Sequence, residues 1–261
     1  MTLASIYVFC FGLIVGSLLN VLIHRLPRGE SVIFPGSQCP ECKEKILWFD
    51  NIPVWSYLRL NGKCRRCGTR IPLRYTAVEL LTGFICLGLY FKYGLSIKLG
   101  IGVIFLSLLL AVMVTDIETG LIPDALTLPG MIIGLVLTGF FPEYLTGEAV
   151  WWQGIKASAI GLLGGGIILW VTAWLGELIF RKESMGGGDI KLMAMMGAFL
   201  GFQKVCLIFF LAPVLALPVA LYAKFAKKAE TIPFGPYLSI AGGIMYIYGD
   251  TAVKYFFSYG F

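Results

Sequence analysis

The sequence predicts an all-α polytopic membrane protein of about eight transmembrane helices, with a small cytoplasmic cysteine-rich domain inserted between the first and second helices. Three observations carry this. Apolar runs near 20 residues long recur along the chain, the length needed to cross about 30 Å of hydrocarbon. Lys and Arg crowd into alternate loops. Residues 24–75 lack any such run and hold four of the seven cysteines. Composition agrees: 58% of the 261 residues are hydrophobic and 14% charged. A soluble domain is nearer half apolar and a quarter charged. The net charge of +6 does not point to nucleic acid, because basic residues beside apolar runs are what membrane topology requires.

The spans fall at 3–23, 76–95, 97–115, 124–141, 155–179, 190–201, 204–223 and 236–257. The first has no basic segment before it and no small-residue cleavage pattern after it. It is expected to be retained, so it is not read as a signal peptide. The sixth is short for a crossing and is expected to begin below the membrane surface or to meet the seventh at a bend near Gly201. Three domains follow: 1–23 as the first transmembrane helix, 24–75 as the cytoplasmic insertion and 76–261 as the main transmembrane domain.

With residues 24–75 on one side and eight alternating spans, that side receives 16 Lys and Arg, including Arg181, Lys182, Lys191, Lys224, Lys227 and Lys228. The other side receives five: Lys92, Lys98, Lys156, Lys204 and Lys254. The bias places 24–75 in the cytoplasm and both termini outside. Glycine pairs four residues apart (Gly12 and Gly16, Gly130 and Gly134, Gly161 and Gly165) suit close helix packing. Met193, Met195 and Met196 are read as packing too.

Cys39 and Cys42 form one Cys-x-x-Cys pair, and Cys64 and Cys67 form another. Two such knuckles can place four thiolates around one Zn²⁺ in a closed structural site. Two disulfides are the competing reading, disfavoured by the reducing cytoplasm. Residues 24–75 thus read as a four-cysteine zinc-binding domain. Cys10, Cys86 and Cys206 lie in apolar runs and read as buried thiols.

Two acidic motifs fall on the same, cytoplasmic, face. Asp116 ends the third span, with Gly120 and Pro123 stopping the helix beyond it. Asp189 follows Gly186, Gly187 and Gly188, which let the chain turn before a helix restarts, and so occupies that helix's first turn. Ionisable groups at this depth are costly and mark function by default. Two aspartates converging on one water suit acid/base hydrolysis. A cap or topology marker is the plainer role for either aspartate alone. A transporter with acidic relay residues and a membrane-anchored zinc-ribbon interaction module are the competing classes.

Several of these motifs resemble one family. They are Phe11-Gly12 through Pro27, Cys39-Pro40-Glu41-Cys42 with Cys64 and Cys67, and Arg74-Tyr75 through Gly83. Asp116 through Ile122-Pro123-Asp124 and Gly186 through Ile190-Lys191 complete the set. Together the chain is similar to the bacterial type IV prepilin peptidases, leader peptidase/N-methyltransferases of the Gly-x-Gly-Asp aspartic class. The resemblance implies catalysis by Asp116 and Asp189, with Asp124, Gly186, Gly187, Gly188 and Lys191 as a supporting loop. It implies prepilin or pseudopilin substrates of pilus or type II secretion systems, cut after a glycine at the cytoplasmic face of the inner membrane. It also implies N-methylation of the new N-terminal residue with S-adenosylmethionine. No Gly-rich strand-to-helix turn for that cofactor is visible. Glu79 is a candidate contributor to methylation, with capping or packing as its plainer role, and His24 is read as an anchor at the headgroups. A peptidase without methylation, its zinc domain serving substrate recognition, is the alternative.

Overall fold

The computed structural model describes residues 3–181, 185–226 and 232–258. Lys182, Lys227 and Lys228, used in the topology count, lie outside them. The described chain is helical with no strand. Its helices are α1 (Leu3–Arg25), α2 (Trp55–Arg59), α3 (Leu73–Tyr93), α4 (Ile97–Thr119), α5 (Asp124–Phe140), α6 (Pro142–Leu145), α7 (Trp151–Phe180), α8 (Gly187–Leu200), α9 (Phe202–Ala226) and α10 (Gly235–Val253). A long helix thus stands at each of the eight expected places. Five are long and apolar enough to cross a membrane: α1, α3, α4, α7 and α9. The helices α5, α8 and α10 are not among them. The chain divides into two compact units, residues 1–111 and 112–261, the division falling within α4.

In the first unit, α1 and α3 pack along their glycines. A Cβ on Gly12 would lie 2.8 Å from Gly83 Cα, and one on Gly16 would lie 2.6 Å from Glu79 Cα. Small residues here let two backbones meet without a hydrophobic driving force between helices in lipid. The side-chain Nδ2 of Asn20, one turn further along α1, donates to Tyr75 O at 2.9 Å. Residues 26–72 form the insertion, built on two turns of the same design. Lys43 N–H donates to Cys39 O at 2.9 Å, and Gly68 N–H donates to Cys64 O at 3.0 Å. Both turn residues have positive φ, +57° and +73°. Gln38 bridges Lys45 around the first turn, and Lys63 bridges Arg70 around the second. The insertion is therefore a duplicated knuckle offset by 25 residues, a repeat the cysteine spacing contains but the flanking residues conceal. Asp50 ties it together, holding Arg65 at 2.6 Å and Arg59 at 3.0 Å.

In the second unit, α8 packs against α5, α7, α9 and α10. Every residue from Leu192 to Leu200 is buried, including Met193, Met195 and Met196. This is why a 14-residue helix suffices: its surroundings are protein, so its ends need not reach either headgroup layer. Its last carbonyls would otherwise be orphaned in an apolar interior. Hydroxyls of Thr138 on α5 and Ser158 on α7 donate to Ala198 O at 3.2 and 2.6 Å. Gly161 of α7 and Gly197 of α8 are in direct backbone contact, and a Cβ on Gly165 would lie 2.8 Å from Met193 O. The bend expected near Gly201 is present. Gly201, at φ +77°, separates α8 from α9.

Candidate active site and cysteine cluster

Asp116 lies in the last turn of α4 and is buried. The helix stops three residues later because Gly120, at φ +66°, turns its N–H back to Asp116 O at 2.9 Å. Pro123 then caps α5. The Asp116 carboxylate accepts the N–H of Gly235 at 2.9 Å. Gly235 opens α10, followed by Pro236. A carboxylate there meets an unsatisfied N–H at the positive end of a helix dipole.

Asp189 sits in the first turn of α8, as expected. Its backbone N–H donates to Gly186 O at 3.1 Å, and its carboxylate accepts the Gly186 N–H. The Oδ1 atom is buried and has no hydrogen-bond partner. Asp116 is close enough for the two charges to interact. The glycine triplet serves in a different way from the sharp unwinding expected. Gly187 and Gly188 are already helical, and Gly186 caps the helix at φ −71°, ψ 141°. Gly188 is needed for space instead, since a Cβ there would lie 2.8 Å from Ile122 Cβ.

Ile122 thereby lies against both the glycine that precedes Asp189 and the glycine whose N–H binds Asp116. Its Cδ1 would lie 3.1 Å from a Cβ on Gly235. Asp124 does not join the aspartate pair. Its exposed carboxylate accepts Lys191 Nζ at 2.7 Å on both oxygens, linking the start of α5 to α8. Sequence reasoning missed Gly235. The signal was Pro233-Phe234-Gly235-Pro236 at the head of the last apolar run. A glycine between such restrictive residues suggests a close approach, but nothing in the sequence tells what approaches.

The four cysteine sulfurs lie within 4.8 Å of one another. Four thiolates at about 2.3 Å from one Zn²⁺ stand about 3.8 Å apart in a tetrahedron. Cys39 and Cys67 Sγ are 3.8 Å apart. Hydrogen bonds from the Thr69 hydroxyl and backbone N–H draw the Cys67 thiol down, which favours the thiolate form that a metal ion takes. The donor set fits a metal ion.

Beside this cluster the first unit holds a cavity of about 830 Å³. Ser17, Asn20 and Glu79 line it from α1 and α3, and Ile46, Val54 and Tyr57 line it from the insertion. Glu79 Oε2 accepts the N–H of Val54 at 2.8 Å, and the Ser17 hydroxyl also bonds this carboxylate. Asn20 Oδ1 is buried without a partner. His24 is elsewhere engaged, its Nδ1 3.0 Å from Arg28 Nη1.

The chain matches the family described as the bacterial peptidase A24 N-terminal domain over residues 10–93. It matches the type IV leader peptidase family over residues 103–221. It is 35% identical over 273 residues to a prepilin leader peptidase/N-methyltransferase of Stutzerimonas stutzeri, covering 94% of this chain and 91% of that protein. The protein of the same name in Pseudomonas aeruginosa is 33% identical over 277 residues, covering 95% and 92%. That in Klebsiella pneumoniae is 41% identical over 207 residues, covering 76% and 86%. No solved structure matches the chain.

Proposed function

The chain belongs to the type IV leader peptidase family, and we propose from this that it removes the leader of prepilins and N-methylates the new terminus. Asp116 and Asp189 carry the hydrolysis. One carboxylate takes a proton from a water molecule, whose oxygen attacks the scissile carbonyl carbon. The other carboxyl group gives its proton to the carbonyl oxygen. The tetrahedral adduct then breaks its C–N bond as the leaving amine regains a proton from the pair. Two carboxylates brought together in one site divide the roles of base and acid between them. The observation that carries the reading is the pairing itself. Residues 73 positions apart meet in one place, one fixed by a helix N-terminus and one keeping a buried oxygen unbonded.

The eight long helices all cross the inner membrane, the short α8 being enclosed by its neighbours. Residues 24–75 then form a cytoplasmic domain holding Zn²⁺ through Cys39, Cys42, Cys64 and Cys67, and 76–261 form the peptidase domain. The aspartates open to the cytoplasm, where a prepilin leader lies. With four thiolates and no open position the zinc is structural. S-adenosylmethionine, when bound, supplies the methyl group.

The deciding experiment is cleavage of a prepilin in liposomes by the wild type, Asp116→Ala and Asp189→Ala, each with normal zinc content. Loss of cleavage in both is expected. Cleavage at the wild-type rate by either would remove the aspartate pair from the mechanism.

A further inference from the structure

Glu79 is an ionisable side chain on an apolar helix pair, and among the described residues no Lys or Arg pairs with it. Its described partners are neutral donors, the Val54 N–H and the Ser17 hydroxyl. A carboxylate in such surroundings without a counter-charge is costly, and it persists where a cation is to be bound. The cost is compounded at Val54. This β-branched residue is held at φ +61°, ψ −48°, a conformation that such side chains rarely adopt and that concentrates at ligand sites. That conformation accompanies the aim of the Val54 N–H at Glu79. Beyond the carboxylate lies the cavity of about 830 Å³, within the range for nucleotide-sized and drug-sized ligands. Helices α1 and α3 bring Ser17, Asn20 and Glu79 to it among apolar residues; the insertion brings Ile46, Leu47 and Tyr57 together with the charged Lys45, Asp50, Arg65 and Arg66, and Arg25 lines it too.

We propose that this cavity is the S-adenosylmethionine site, in which Glu79 holds the sulfonium and α-ammonium of the cofactor and the apolar residues Ile46, Leu47 and Tyr57 of the insertion take the adenine. This rests on the methyltransferase half of the proposed function. The cofactor carries a sulfonium, an α-ammonium and a carboxylate at one end and a flat, weakly polar base at the other; Glu79 answers the cations, Arg25, Lys45, Arg65 and Arg66 of the lining are available to the carboxylate, and the apolar residues suit the base. The Ser17 hydroxyl and Val54 N–H hold the carboxylate in orientation, which is the task of the strained turn. Asn20 brings a second acceptor one helical turn, about 6 Å, away. The absence of a Gly-rich phosphate-type turn in the sequence is then expected, because recognition falls to a carboxylate and an apolar slot.

The test is equilibrium binding to the full-length, zinc-loaded protein in detergent. The probes are S-adenosylmethionine and 5′-methylthioadenosine, which shares the adenosine but lacks the sulfonium, the ammonium and the carboxylate. Glu79→Gln keeps the shape and can still accept the Val54 N–H, and equal zinc content and melting temperature confirm its fold. S-adenosylmethionine affinity should fall about tenfold or more, with methylthioadenosine unchanged. A second variant, Ile46→Trp, fills the cavity and should weaken both probes together. Photolabelling with radiolabelled S-adenosylmethionine should mark peptides within residues 10–79. Unchanged S-adenosylmethionine affinity in Glu79→Gln, or a label mapped beyond residue 111, overturns the site while leaving the methyltransferase reading intact. A wild-type protein that neither binds S-adenosylmethionine nor methylates pilin overturns that reading and the site with it.

Discussion

Replacing Gly235 by alanine should disable cleavage while leaving the fold standing. The added Cβ would lie 2.6 Å from Asp116 Oδ2 and 3.1 Å from Ile122 Cδ1, and the first is closer than real contacts allow. Gly235 does not have positive φ, so alanine meets no backbone strain. Its neighbours are the ends of side chains, which can yield. What yields is the Asp116 carboxylate, by about half an ångström, and this breaks the 2.9 Å bond from the Gly235 N–H. A hydrogen bond to a charged group contributes about 1.5–3 kcal/mol. Each 1.4 kcal/mol is about tenfold in rate, so kcat/KM for prepilin should fall about 10- to 150-fold. The assay is single-turnover cleavage in liposomes, with melting temperature as the control for folding. Wild-type cleavage by Gly235→Ala would refute a role for the α10 terminus in positioning Asp116.

Three further outcomes are expected. Cys39→Ser, or stripping the metal with a chelator, should abolish hydrogen-exchange protection over residues 37–71, because the knuckles have only a small core of their own; protection equal to wild type would separate metal binding from folding. Lys191→Met should reduce cleavage only severalfold, since its partner Asp124 is exposed and such pairs contribute about 0.2–1 kcal/mol; wild type and variant should converge at high salt, and a complete loss would place Lys191 in the chemistry. The Arg65 hydrogen bond and the nearby guanidinium charges hold the Asp50 carboxyl below the usual aspartate value of 3.8. That contribution is complete above the ordinary value and is lost as pH falls through the lowered one. Asp50→Asn should therefore loosen the insertion at pH 7, measured as zinc off-rate, with the gap narrowing below about pH 4; a gap that widens in acid would contradict the pairing.

Patterns set by local chemistry were legible in the residue order. Apolar runs placed the long helices, five of which have the length that hydrocarbon thickness demands of a crossing. Two Cys-x-x-Cys pairs located the four-cysteine cluster, because ligand geometry dictates such spacing. Gly120 and Gly201 ended their helices where positive φ was needed. Asp116 and Asp189 stood out because a carboxylate beside an apolar run is costly unless used. Tertiary structure decided what depends on partners distant in the chain. It made α8 a sheltered helix by surrounding it with four others. It made Gly188, expected only to let the chain turn, a point of close approach to Ile122, and it set Gly235 against Asp116. It gave Asp124 to Lys191 and the Gly235 N–H to Asp116. It also brought Val54 to Glu79 across 25 residues and left a cavity beside them. Close approach and hydrogen-bond pairing are properties of two segments at once, and neither segment's sequence states which other will meet it.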